Sequence, residues 1–208
     1  MTEWKPIADW HLVELVLPLE MSTGGIALPS TMQMNDTTAV VLASGPGIET
    51  RCGKRSVQWV EPGCVVFIDQ TQALPLEGRQ CFIRDRDLLA LMDGEEIIPL
   101  NDFVMVDPDA GETEQSGLYI PDAWRRLRAR SGIVNGFGPG RVELRGRSRG
   151  IRRRLSTIIH MEDDLIGRRV YWQHESNAFA VGRHSLSALL VRAEHLIAME
   201  ANSDADCR

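Results

Sequence analysis

Long hydrophobic runs are missing from this 208-residue sequence. No apolar stretch approaches the ~20 residues that a membrane-spanning helix needs. The opening Met1-Thr2-Glu3-Trp4-Lys5 lacks the basic and apolar regions of a secretory signal. Cysteine is scarce: Cys52, Cys64, Cys81 and Cys207 form no CxxC pair, which excludes the tight ligand spacing of a structural zinc site. Reduced thiols in a bacterial-type cytoplasm are the expectation. His11, His160, His174, His184 and His195 show no HExxH or paired spacing, and the order of residues supports no Ser-His-Asp or Cys-His pairing. Gly136-Phe137-Gly138-Pro139-Gly140 is not followed by the lysine, hydroxyl residue and helix of a phosphate loop, so it reads as a turn. No enzymatic activity, metal or cofactor is expected. The formal net charge of −6 argues against general binding to nucleic acid or anionic membranes.

What is present is a repetition. Thr23-Gly24-Gly25-Ile26-Ala27-Leu28-Pro29-Ser30 returns downstream as Ser116-Gly117-Leu118-Tyr119-Ile120-Pro121-Asp122. Each places glycine before three apolar residues and then proline. Each follows a short apolar segment, Ile7 to Leu17 or Ile98 to Val106, and precedes an alternating one ending in Gly-Pro-Gly, at Gly45-Pro46-Gly47 and Gly138-Pro139-Gly140. Three landmarks in one order indicate an internal duplication. The length suits two small domains, which we place at 1–94 and 95–201, with a tail at 202–208.

Along the first copy, strands are expected at His11 to Leu17, Thr38 to Ala43, Cys64 to Ile68 and Gln80 to Arg84. Residues 20–35 read as a long loop, and Ile48 to Val60 as a hairpin excursion. Glu61-Pro62-Gly63 is a turn, and Asp85 to Met92 is a helical turn entering a final strand. The second copy starts at Ile97 to Val106, which parallels Lys5 to Val13, and repeats the pattern with a loop at 107–131, a turn at Asp163 to Gly167, a strand at Arg169 to Gln173 and a closing segment from Ala188 to Met199. Short strands punctuated by glycine and proline, with almost no long helix, predict an all-β chain with one small barrel per repeat.

Ile98-Pro99-Leu100-Asn101-Asp102-Phe103-Val104-Met105-Val106, then Gly117-Leu118-Tyr119-Ile120-Pro121-Asp122, then Gly132-Ile133-Val134 and Gly138-Pro139-Gly140, resembles the GroES-type co-chaperonins. The first copy retains Gly24-Gly25-Ile26-Ala27-Leu28-Pro29 and Pro62-Gly63-Cys64-Val65-Val66-Phe67. Nearly the whole chain is covered, twice, so it is similar to the double-headed co-chaperonins of plastids. The resemblance implies barrels whose mobile loops dock an apolar tripeptide onto an ATP-driven chaperonin ring, the ATP being bound by that partner. It assigns docking to Ile26, Ala27 and Leu28 in the first loop and Leu118, Tyr119 and Ile120 in the second. Gly24, Gly25 and Gly117 would let each loop order on binding. Ala27 stands where the family has a larger aliphatic residue. Self-association into a ring or other oligomer is also implied.

Between the turn at Gly140 and Leu155, seven arginines (Arg141, Arg145, Arg147, Arg149, Arg152, Arg153 and Arg154) face a single acid, Glu143. No aromatics interleave them for base stacking. This insert, 141–154, reads as a solvated loop, with an acidic protein surface as the alternative. A second function class stays open beside the first: a structural interaction protein that reuses the barrels, such as a capsid-decorating protein located in a virion.

Overall fold

The computed structural model describes residues 4–16, 38–48, 59–109, 114–115, 118–119, 129–145, 154–159, 165–173, 178–181 and 188–200. Among these no helix is long and apolar enough to cross a membrane. The chain divides into two compact units, Met1–Asn101 with Arg141–Ile158, and Asp102–Gly140 with Ile159–Arg208.

The first unit holds β1 (Trp10–Leu15), β2 (Thr38–Ser44), β3 (Val65–Ile68), β4 (Leu74–Pro75), β5 (Gln80–Arg84), β6 (Leu88–Asp93) and β7 (Glu96–Pro99). They make one antiparallel sheet in the order β4-β5-β1-β2-β3-β6-β7. Val13, Val41, Val66, Ile68, Ile83 and Leu88, from five of these strands, meet in a single buried core. A sheet whose strands share one core curls around it, which is the barrel expected from the sequence. Each such aliphatic side chain contributes about 1.5–3 kcal/mol through burial.

The second sheet is built from β8 (Phe103–Pro108), β11 (Ser131–Phe137), β14 (Arg169–Trp172), β15 (Ala178–Val181), β16 (Ala188–Arg192) and β17 (Leu196–Met199), in the order β15-β16-β8-β11-β14-β17. Position for position this is the order of the first sheet without β7. Val104, Val106, Val134, Val170, Trp172 and Val191 form its core. The fold is all-β, as expected.

Backbone detail confirms the duplication. The amide of Gly45 donates to Trp10 O at 2.8 Å, and that of Gly138 to Phe103 O at 2.8 Å. Gly63 donates to Val41 O and Gly167 to Val134 O, both at 2.8 Å, with positive φ at both glycines. The Arg84 guanidinium lies 4.8 Å over the Trp10 ring, and that of Arg192 4.5 Å over Phe103. Ala8 and Asn101, which precede the first strand of each copy, both have φ of 52°. A left-handed conformation at two matched non-glycine residues is too costly to recur by accident.

Ile97 to Val106 holds parts of two strands, separated by the left-handed turn at Asn101 between Pro99 and Phe103. β7 then pairs with β6, Leu91 opposite Ile98 and Ala90 opposite Pro99, with Gly94 at φ 60° in the connecting turn. The arginine-rich insert is no simple loop: β12 (Arg141–Arg145) and β13 (Arg154–Ile159) pair as a two-stranded sheet. Arg141-Val142-Glu143-Leu144-Arg145 alternates polar and apolar residues, a strand signal that the weight of arginine obscured. The loop at 107–131 begins later than expected, since β8 runs to Pro108, and it contains a short ribbon of β9 (Glu114–Gln115) and β10 (Leu118–Tyr119). Most of the excursion at Ile48 to Val60 lies outside the described residues.

Cys64 and Cys81 are free thiols, and Cys81 is buried in the first core. Burial there pushes the Cys81 thiol up from its ordinary value, so less thiolate is present at neutral pH. In the native protein Cys81 should be alkylated by iodoacetamide far more slowly than in urea. Peptide mass spectrometry checks this, and equal rates would contradict the buried placement.

Candidate functional site

Both Gly-apolar-Pro stretches grow from the same place in the repeated fold, the hairpin between the first two strands of each copy. In the first copy β1 and β2 pair with Leu15 opposite Ala39. The hairpin is closed by Val16 N donating to Thr38 O at 3.0 Å. In the second, β8 and β11 pair with Gly132 opposite Pro108, and Asp109 N donates to Ser131 O at 2.9 Å. The closing hydrogen bonds fall at equivalent positions, so the two loops are equal in length. Each copy thus carries a segment of the same residue count between the first two strands, rooted in a paired β-ladder.

The root of the second loop is reinforced by charge. Ser131 Oγ donates to the Asp109 carboxylate. Arg169 Nε reaches the same carboxylate at 3.3 Å, and its Nη1 reaches Glu200 at 3.6 Å. These half-exposed pairs fix geometry more than they stabilise. Gly132 lies against its neighbour so closely that an added Cβ would fall on Asp107 O and within 2.9 Å of Pro108 Cα.

Of the residues assigned to docking, Leu118 and Tyr119 form β10, with Leu118 opposite Gln115 and Tyr119 opposite Glu114. The other assigned residues, Gly24, Gly25, Ile26, Ala27, Leu28, Gly117 and Ile120, lie outside the described residues.

One polar constellation escaped sequence reasoning. His11, 0% exposed, contacts Ser44 Oγ through Nδ1 at 3.0 Å and Asp85 Oδ1 through Nε2 at 3.2 Å. The residue types are those of a hydrolase triad, but the chemistry is not. The imidazole is fully buried and Ser44 Oγ also contacts Val60 O at 3.3 Å, so the three side chains tie neighbouring elements together inside the fold. The equivalent positions of the second copy are Val104, Phe137 and Ala193, and Val104 and Phe137 pack in its core. One copy solves this site with a polar relay and the other with apolar packing. No local spacing announces the trio, because β1, β2 and the turn before β6 bring it together.

His11→Val should therefore cost about 1–2 kcal/mol, because Ser44 and Asp85 lose their partner. Adding Ser44→Ala and Asp85→Ala should recover part of that loss in urea unfolding. A strictly additive cycle would refute the relay.

Comparison with known proteins places these features in a family. The model of the family described as "Chaperonin 10 Kd subunit" matches residues 3–92, within the first copy. The chain is 26% identical over 153 residues to the 20 kDa chloroplastic chaperonin of Arabidopsis thaliana, covering 70% of this chain and 60% of that protein. The counterpart from Spinacia oleracea is 24% identical over 151 residues, covering 70% and 59%. The alignments thus span less than two thirds of these plastid relatives. A co-chaperonin GroES of Lawsonia intracellularis is 31% identical over 94 residues, 44% of this chain and 93% of its own length.

Proposed function

Since the chain belongs to the chaperonin 10 kDa, or co-chaperonin, family, we propose that it docks onto a chaperonin ring through its two loops and assists protein folding there. Two loops of equal length, closed by equivalent hydrogen bonds in two copies of one barrel, carry this reading. A docking element needs a firm root and a reach shared by every copy on the ring. The Val16–Thr38 and Asp109–Ser131 closures supply both.

Ile26, Ala27 and Leu28, and Leu118, Tyr119 and Ile120, supply the apolar contact, and Gly24, Gly25 and Gly117 the freedom to fit it. Burial of two large aliphatic side chains yields roughly 3–6 kcal/mol. Ordering a segment costs about 2–5 kcal/mol. One loop alone binds weakly, whereas several on one ring bind tightly through effective concentration and still release when the ring changes shape. ATP binding and hydrolysis belong to the ring.

The test is chaperonin-dependent refolding. A denatured enzyme that refolds only with a complete chaperonin system is mixed with ring, ATP and this protein. Recovery of its activity above the level with ring and ATP alone is the expected result. Recovery equal to that control, with several rings, would overturn folding assistance.

A further inference from the structure

The docking role leaves the arginine-rich insert without a use. It carries seven arginines against the single acid Glu143, in a chain whose formal net charge is −6, so the rest of the chain is more acidic than the total shows. Every one of these cations is arginine, and no lysine lies between Arg141 and Arg154. A planar guanidinium grips a carboxylate through two parallel hydrogen bonds, which an ammonium cannot do. The first copy is basic at the same place in its fold. Arg51, Lys54 and Arg55 lie between β2 and β3, as the insert lies between β11 and β14.

The backbone gives this charge a form. The chain enters β11 from the second loop at Ser131 and leaves it toward β12 at Phe137. β11 is seven residues long, so about 20 Å separates the two junctions. Among the described residues β12 and β13 pair only with each other. A two-stranded ribbon leaves unpaired amides and carbonyls along its outer edges, to which an extended chain can add.

The charges decide what can add. Arg141 and Arg145 stand at the two ends of β12, and Arg154 opens β13. A second copy of either strand would set like charges opposite one another, which is unfavourable, whereas an acidic strand sets opposite charges together. A nucleic acid has no peptide groups to pair with the edge, and the insert has no aromatic residue to stack on its bases.

We propose that the β12–β13 ribbon binds an extended acidic segment of another polypeptide, added as a third strand, its carboxylates paired with the arginines of the strand it joins. Arg147, Arg149, Arg152 and Arg153, between the two strands in sequence, add an attraction that salt screens. Acids at every second position of the bound segment reach the same face. The site is independent of the docking loops, and the ring takes no part in its test.

Fluorescence anisotropy of a labelled peptide alternating glutamate with valine, titrated with the full chain, tests it. Binding that weakens with added salt is the expected result. Arg141→Gln, Arg145→Gln and Arg154→Gln together should weaken it about tenfold, as the loss of a few exposed ion pairs allows. Arg147→Gln, Arg149→Gln, Arg152→Gln and Arg153→Gln together, which leave both strands untouched, should weaken it and flatten its salt dependence. Changes in the peptide keep the protein native. Replacing its glutamates by glutamine should abolish binding. Of two peptides N-methylated at alternate residues in opposite phase, one should bind about tenfold more weakly than the other, because a strand edge pairs with every second residue. No binding by the native chain, affinity unmoved by both sets of variants, equal binding of the glutamine peptide or equal affinity for the two methylated peptides would overturn the site. Tighter binding of a single-stranded oligonucleotide than of the acidic peptide would overturn it too.

Discussion

Ile26→Asp and Leu118→Asp together should abolish binding to a chaperonin ring, while each alone weakens it unequally. A charge at the centre of an apolar contact removes the burial of one aliphatic side chain, about 1.5–3 kcal/mol. That is at least about tenfold in the affinity of a single loop. On a ring the loss multiplies over every loop engaged, which is why the double variant falls below detection. Leu118→Asp should do more harm than Ile26→Asp only if the second loop carries more of the contact. Leu118-Tyr119-Ile120 offers three large side chains, against two around Ala27 in the first loop, so that order is expected. Biolayer interferometry on an immobilised ring, with thermal unfolding as the folding control, gives the ranking. Equal affinity for native and double variant would remove the loops from the interface.

Gly132→Ala should cost about 3 kcal/mol, at the upper end of the range for overpacking. All three atoms nearest the added Cβ, Asp107 O, Asp107 C and Pro108 Cα, are backbone, so no side chain can swing aside. The strain falls where β8 and β11 root the second loop. Ala39 holds the equivalent place in the first copy, fully buried in its core, so the first hairpin tolerates the methyl group that the second cannot. Gly132→Ala is thus expected to lower stability and to weaken ring binding through misplacement of Leu118 and Tyr119. Ala39→Gly should cost only about 1 kcal/mol, in backbone entropy. Urea unfolding of both variants checks the contrast, and equal losses would contradict the close approach at Gly132.

The repeat was legible because its landmarks are glycine and proline, residues whose backbone demands survive divergence. Gly63 and Gly167 sit at positive φ in matched turns, and Gly45 and Gly138 donate matched hydrogen bonds to the strand before the loop. Strand positions followed from runs such as Cys64 to Ile68 and Ala188 to Arg192. Less legible was anything set by pairing between distant segments. The left-handed turn at Asn101 is one such feature, since its side chain is committed to carbonyls of Asp85 and Leu88, 16 and 13 residues back. The His11, Ser44 and Asp85 relay and the unequal edges of β6 and β17 belong to the same class, since both depend on which strands become neighbours. Charge misled once, when the arginines between Arg141 and Arg154 drew attention from the alternation beneath them.

Size-exclusion chromatography of the native protein with a chaperonin ring, in ADP, in ATP and without nucleotide, tests the co-chaperonin role most directly. Comigration with the ring that requires nucleotide, and that vanishes with Ile26→Asp plus Leu118→Asp, is the predicted result. Failure to comigrate with any of several rings under any of the three conditions would contradict docking and favour a static structural use of the barrels.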